Sequence, residues 1–144
     1  MISKVAIASD HAGYNLKEYI VNNLDDKVVV SDFGTNSNES CDFPDFALKV
    51  CEFVLENNNT RGILICGSGV GMSIAANKFA GIRAANVTDE LTAVQSVEHN
   101  NVNILSLGSN NVSNELALNI IYAFLDSKFS EEERYQRRVN KFAN

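Results

Sequence analysis

Apolar residues fall into two kinds of run that alternate along the chain. Short continuous runs, rich in β-branched residues, predict five strands over 5–9, 27–34, 62–66, 82–87 and 102–108. Between them apolar residues recur every three or four positions, which predicts helices over 13–24, 46–57, 70–79, 89–98 and 115–127. Pro44 suits the first turn of the second helix, and Ser113 is placed to cap the fifth.

This alternation predicts one α/β domain over residues 1–144, without repeats, low-complexity tracts or linkers. Strand–helix–strand units form right-handed crossovers, so the expected fold is a three-layer, Rossmann-like domain with a five-stranded parallel sheet. The tail (129–144) is polar and predicts a last helix over 130–141, with Ser130 as its cap and acidic residues in its first turn. It has little apolar surface of its own, so we expect it to reach a partner subunit.

Polar residues follow three of the predicted strands, in the segments SDHAG, DFGTNSNESCDFP and CGSGVGMS. Ligands of parallel sheets bind outside the carboxyl ends of the strands, where the strand order reverses. The sequence therefore predicts a binding site at this edge.

Composition narrows the class of protein. The chain has 45% hydrophobic and 21% charged residues, which is typical of a globular protein, and a net charge of -6, which argues against nucleic acid as a partner. No run approaches the ~18 apolar residues of a membrane span, and the amino terminus does not resemble a signal peptide. Three cysteines cannot all pair within one chain, so we expect free thiols and a cytoplasmic location.

The glycines after the third strand, Gly67, Gly69 and Gly71, do not match a nucleotide motif. A dinucleotide fingerprint needs a different spacing after the first strand, and a P-loop needs a lysine that Gly71-Met72-Ser73 lacks. What remains is a loop of backbone N–H groups at a helix start, suited to an anion or an oxyanion. Cys66 lies at its rim, where a thiolate is favoured, although a buried cysteine is commonly just a small apolar residue.

Other candidates for chemistry are two histidines and two arginines. His11 follows the first strand, and His99 precedes the fifth, near the opposite edge of the sheet, from where it would reach a neighbouring subunit more easily than its own site. Arg134 and Arg138 lie four residues apart and could share a phosphate, or simply form part of a solvated helix face.

Taken together, the segments SDHAG, DFGT, DFPDFA, GILICGSGVGMSIAANKFAGIRAA, EHNNVNILSLG and RYQRRV resemble the ribose-5-phosphate isomerase B family, which includes the galactose-6-phosphate isomerase subunits. The similarity covers essentially the whole chain. It implies a metal-free and cofactor-free isomerisation of ribose 5-phosphate and ribulose 5-phosphate through a cis-enediolate. The alternatives are a galactose-6-phosphate isomerase subunit and a non-catalytic sugar-phosphate-binding protein.

The resemblance also implies residue roles. Cys66 matches the catalytic base, Ser68 matches a hydroxyl of the catalytic loop, and His99 matches the residue that opens the sugar ring. The implied substrate contacts are Asp10, His11, Gly67, Gly69, Val70, Gly71, Asn100, Arg134 and Arg138. The family shares its sites across a homodimer, with a dimer of dimers also open. Asn110 and Phe43 depart from the arginine and tyrosine that many members carry there.

Overall fold

The computed structural model describes residues 1–143, and within them five strands form one all-parallel sheet. The strands are β1 (Lys4–Ser9), β2 (Val29–Asp32), β3 (Thr60–Cys66), β4 (Ala84–Asn86) and β5 (Ile104–Gly108). Their order across the sheet is β2-β1-β3-β5-β4, with the carboxyl ends of all five at one edge. The predicted α/β architecture is confirmed.

Six helices connect and follow the strands: α1 (Tyr14–Asn23), α2 (Phe43–Glu56), α3 (Val70–Ala76), α4 (Glu90–Asn100), α5 (Asn114–Asp126) and α6 (Glu133–Val139). Pro44 is in the first turn of α2, and the Ser113 side chain accepts a hydrogen bond from the Leu116 N–H at the start of α5, as predicted.

Several element boundaries differ from the prediction, and two of the differences bear on predicted site residues. α4 continues to Asn100, so His99 lies in the last helical turn and not at the start of β5; Asn101 ends the helix with a left-handed φ of 51°. α6 is shorter than the predicted 130–141, and its cap position is Glu132. The Ser130 hydroxyl accepts from the Glu132 N–H, which makes a turn ahead of the helix in place of a cap.

Two apolar cores flank the sheet. Ile63 and Ile65 of β3 pack with α1, α4 and α5, while Leu64 and Cys66 point to the other face and pack with α2 and α3. This alternation follows from the two-residue period of a strand. It places the side chain of Cys66 between the sheet and α3.

The strand order reverses between β1 and β3, since β2 follows on one side and β5 and β4 lie on the other. Right-handed crossovers in opposite directions place α1 and α3 on opposite faces of the sheet. Ser9 pairs with Ile65 at the ends of these strands, and the Asp10 N–H donates to the Ile65 carbonyl at 3.1 Å. Asp10 and Cys66 therefore leave adjacent strands at the crevice where such folds bind ligands.

A buried ion pair holds α1 to the end of β2. The Lys17 side chain is 0% exposed, and its Nζ lies 2.8 Å from both Asp32 Oδ2 and Glu18 Oε1. Burial opposes the charge, but the bonds to the two carboxylates outweigh it and raise the pKa of Lys17. Asp32 also accepts from the Gly34 N–H at 2.9 Å, so the ion pair positions the loop that follows β2.

Candidate active site

The glycine loop (66–70) turns sharply from β3 into α3. Gly69 has a φ of +80°, a left-handed conformation that glycine adopts without strain. A Cβ atom there would lie 2.5 Å from Asn86 Oδ1, so the site has no room for a side chain. The loop can therefore bring backbone N–H groups directly against whatever occupies the crevice.

Cys66 lies inside this loop. The residue is only 5% exposed, and the Gly69 N–H donates to its Sγ at 3.2 Å. A donor aimed at sulfur stabilises the thiolate over the thiol. This contact distinguishes Cys66 from a cysteine that serves only as a small apolar side chain.

The amide groups of the glycine loop divide into two sets. The Gly69 and Val70 N–H groups donate within the loop. The first donates to Cys66 Sγ and the second to the Ser68 hydroxyl oxygen, at 3.2 Å. Within residues 1–143 the N–H groups of Gly67 and Ser68 donate to no protein atom. They are available to an oxyanion, and the Ser68 hydroxyl keeps its own proton to donate.

Asp10 and His11 face the same edge with fixed hydrogen-bonding roles. Asp10 Oδ1 accepts from the Gly13 N–H at 3.0 Å, which closes the turn before α1. His11 Nδ1 accepts from the Cys41 N–H at 3.2 Å, so the proton of the neutral ring is on Nε2. Nε2–H is thereby oriented as a donor.

Phe43 and Asn110, the two residues that depart from the family pattern, lie next to the glycines that follow β3. A Cβ atom on Gly71 would lie 2.7 Å from the Phe43 ring, and one on Gly67 would lie 3.2 Å from Asn110 Nδ2. Phe43 supplies an apolar wall and Asn110 a neutral amide, where a tyrosine would bring a hydroxyl and an arginine a charge.

The remaining predicted site residues lie at the opposite edge of the sheet. His99 and Asn100 end α4, just before β5, whereas Cys66 pairs with Gly108 at the far end of β5. The four strand steps between these edges span about 13 Å. Within one chain the structure therefore does not bring His99 to Cys66.

At that opposite edge α6 packs against the end of α4. The His99 and Tyr135 rings stack with centroids 4.3 Å apart and an interplanar angle of 9°. The Arg134 guanidinium lies 4.6 Å from the Tyr135 ring centre and its Nε 2.9 Å from Glu132 Oε2. Tyr135 thus joins two predicted site residues, a role that no sequence pattern indicated.

The two other arginines of α6 differ from each other. Arg137 pairs with Glu133 at 2.6 Å, the solvated arrangement expected for a charged helix face. Arg138 makes no ion pair with any residue of the described chain. Its guanidinium has no carboxylate partner among residues 1–143 and is open to a ligand.

The chain resembles proteins of known family along nearly its full length. The family model described as Ribose/Galactose Isomerase matches residues 5–142. The chain belongs to this family. The ribose-5-phosphate isomerase B of Escherichia coli is 45% identical over 139 residues, covering 96% of this chain and 93% of that protein.

Solved structures of related proteins support the same family and fold. The ribose-5-phosphate isomerase B of Clostridium thermocellum is 50% identical with a TM-score of 0.90, covering 96% of this chain and 93% of that one. The enzyme of Mycoplasma genitalium, solved with bound ribulose 5-phosphate, is 42% identical with a TM-score of 0.90, covering 96% and 92%. The family and fold inferred from sequence are confirmed.

Residues 1–143 contain neither a membrane-spanning helix nor a metal-binding cluster. No helix among them is long and apolar enough to span a bilayer. No three side chains of His, Cys, Asp or Glu converge there in a way that could hold a metal ion.

Proposed function

We propose that this protein interconverts ribose 5-phosphate and ribulose 5-phosphate, as the names of its relatives indicate for them. The observation that carries the proposal is the Gly69 N–H donated to the buried Cys66 sulfur, beside unoccupied amides of the same loop. Proton abstraction next to a carbonyl needs a base at the carbon and donors at the oxygen, and this loop supplies both.

The Cys66 thiolate removes the C2 proton of the open-chain aldose, and the electron pair moves onto the C1 carbonyl oxygen. The Gly67 and Ser68 amides and the Ser68 hydroxyl stabilise the resulting cis-enediolate. Return of the proton to C1, with transfer of the hydroxyl proton from O2 to O1, gives the ketose. Each such donor contributes roughly 10²–10³ in rate.

We assign the other substrate contacts by the family resemblance. Asp10 takes a sugar hydroxyl, and His11 donates its Nε2–H to the phosphate. Arg134 and Arg138 bind the same phosphate, His99 opens the furanose ring, and Asn100 contacts the sugar. The last four lie at the edge opposite to Cys66, so they act on the site of a second subunit.

The proposed assembly is a homodimer, and α3 offers a surface for it. Val70 and Ile74 are four residues apart on one face and are 51% and 58% exposed, directly beside the glycine loop. An apolar face at this place is suited to a second copy of the chain, whose opposite edge would then cover the crevice. The three free thiols agree with a cytoplasmic location.

The test is to incubate the purified protein, without added metal, with ribose 5-phosphate and separately with galactose 6-phosphate, and to follow ketose formation. The proposal predicts turnover of the pentose and its loss in Cys66→Ala. Preference for the hexose would favour the galactose-6-phosphate isomerase alternative. Binding of either sugar phosphate without turnover would identify a non-catalytic binding protein.

A further inference from the structure

The carbonyl groups of residues 66–69 in the glycine loop all accept hydrogen bonds from β4, β5 or the turn after β5. The Ser109 and Asn110 N–H groups donate to the carbonyls of Cys66 and Gly67, at 2.9 and 3.0 Å. The Ser106 hydroxyl donates to the Gly69 carbonyl. Only the Ser68 carbonyl is held by exposed side chains.

Those side chains are Asn86, at the end of β4, and Asn111, in the turn after β5. Asn86 Nδ2 lies 3.2 Å and Asn111 Nδ2 lies 3.3 Å from the Ser68 carbonyl oxygen. A carbonyl oxygen has two lone pairs, so both amides can donate to it at once. The two asparagines come from segments that meet only because β4 and β5 are adjacent in the sheet.

Close packing restricts the same peptide group. A Cβ atom on Gly108 would lie 2.5 Å from both the carbonyl carbon and the oxygen of Ser68, so the peptide lies directly against β5. Asn86 Oδ1 also occupies the space where Gly69 would have a Cβ. The Ser68–Gly69 peptide is therefore enclosed as well as hydrogen-bonded.

The orientation of this peptide determines the environment of Cys66. In a planar trans peptide the C=O and N–H bonds point in opposite directions. Holding the Ser68 carbonyl toward the two asparagines consequently directs the Gly69 N–H toward Cys66 Sγ, 3.2 Å away. If the carbonyl turned away, the sulfur would lose the hydrogen bond from the Gly69 N–H.

We propose that Asn86 and Asn111 are positioning residues that aim the Gly69 N–H at the Cys66 thiolate. This inference rests on the proposed role of Cys66 as the base. Neither asparagine touches the sulfur. Because their two bonds converge on one atom, either asparagine alone holds the peptide in part, and removing both has more than the summed effect of removing each.

The test uses Asn86→Leu, Asn111→Leu and the double variant, which keep the approximate size of the side chains and remove the donors. Both positions are exposed, so neither change opens a cavity in the core. Asn114→Leu is the matched control, because it removes an exposed asparagine at the start of α5 whose side chain bonds to no residue of the glycine loop. Thermal unfolding verifies that each variant folds.

The readout is the ultraviolet absorbance of the Cys66 thiolate against pH, taken as the difference from the same protein carrying Cys66→Ala. We expect the midpoint to rise by about 0.5–1 pH unit in the double variant, a three- to tenfold loss of thiolate at neutral pH. The single variants shift less and the control does not shift. Turnover should fall by the same factor at neutral pH and recover at alkaline pH.

An unchanged midpoint in a folded double variant overturns the proposal, and so does a loss of turnover equal at every pH, which would indicate a purely structural role. Failure of the proposed function is separate, because it would appear as absence of isomerisation by the unmodified protein.

Discussion

The two edges of the sheet that carry site residues are built differently. At the carboxyl edge Cys66 is buried and surrounded by fixed hydrogen bonds to main-chain atoms of its own chain. At the amino edge α6 contains no buried residue, and the His99–Tyr135 stack joins it to α4. In the segment before α6, the Ser130 N–H donates to the Glu98 carbonyl at 3.0 Å. The side chains and amides around Cys66 at the carboxyl edge are therefore held by contacts within one chain, whereas the groups at the amino edge are exposed.

This difference indicates that the two edges serve different steps, proton abstraction at the carboxyl edge and phosphate binding at the amino edge. Proton abstraction depends on donors held within a few tenths of an ångström, which a buried loop on a rigid sheet provides. Phosphate capture tolerates more movement, and a weakly packed helix has low local stability until a ligand or partner orders it. We therefore expect the carboxyl edge to be sensitive to small changes and the amino edge to depend on assembly.

The largest expected effect is from Cys66→Ala. Removing the base should lower turnover of ribose 5-phosphate by about 10²–10⁴-fold, measured as ketose formation in a coupled assay. The change is small and apolar at a buried site, so the unfolding curve and phosphate binding should change little. Turnover that is unchanged in the folded variant would show that another group is the base.

Lys17→Met tests the framework of the carboxyl edge. It leaves Asp32 unpaired and should lower the free energy of unfolding by about 3 kcal/mol, the lower end for a buried pair because Asp32 stays partly exposed. Arg137→Met, which breaks the exposed pair with Glu133 on α6, is the control and should cost at most about 0.5 kcal/mol. Equal losses in the two variants would remove the contrast between the edges.

The same ion pair predicts a pH dependence. The pKa of Lys17 is raised on folding, so its contribution to stability is complete below its ordinary value of 10.5 and is lost as the pH rises through the higher folded value. Chemical unfolding at increasing alkaline pH should show a loss that Lys17→Met lacks. Identical pH profiles for the two proteins would contradict this assignment.

Tyr135→Ala removes the aromatic ring that stacks on His99 at the amino edge. Losing the stack on His99 should reduce kcat/KM for ribose 5-phosphate by about two- to thirteenfold, which corresponds to the roughly 0.5–1.5 kcal/mol of an aromatic pair. Tyr135→Phe keeps the ring and should retain activity. Solvent proton exchange into ribulose 5-phosphate, which needs no ring opening, reports on Cys66 separately. If exchange falls as much as turnover, Tyr135 does not act through His99.

The smallest expected effect concerns Cys51, a third thiol outside both edges. Burial, aided by the nearby Glu52 charge, raises its pKa to about 12, so it stays protonated and unreactive near neutral pH. Iodoacetamide should inactivate the folded protein by modifying Cys66, with substrate protecting, while peptide mapping finds Cys51 unlabelled. Inactivation with label only on Cys41 or Cys51 would count against Cys66 as the reactive thiol.

The sequence was most informative where local pattern and chemistry coincide. Five apolar runs predicted the sheet, and the glycines beside Cys66 predicted the loop, because these features depend on neighbours in the chain. No sequence pattern indicated a role for Asn86, Asn111 or Tyr135. Their contacts depend on the strand order and on the packing of α6 against α4. His99 was placed too near β5 because a polar EHNN run does not mark where a helix ends.

We expect each site to take its base from one subunit and its arginine from the other. Mixing two inactive chains tests this expectation most directly. Differently tagged Cys66→Ala and Arg138→Ala proteins are unfolded, mixed and refolded together, and hybrid dimers are verified by tandem purification. Each hybrid should contain one site with both groups intact, so random mixing restores about a quarter of the unmodified activity. Verified hybrids that remain inactive would contradict the account and place Cys66 and Arg138 in the same chain's site.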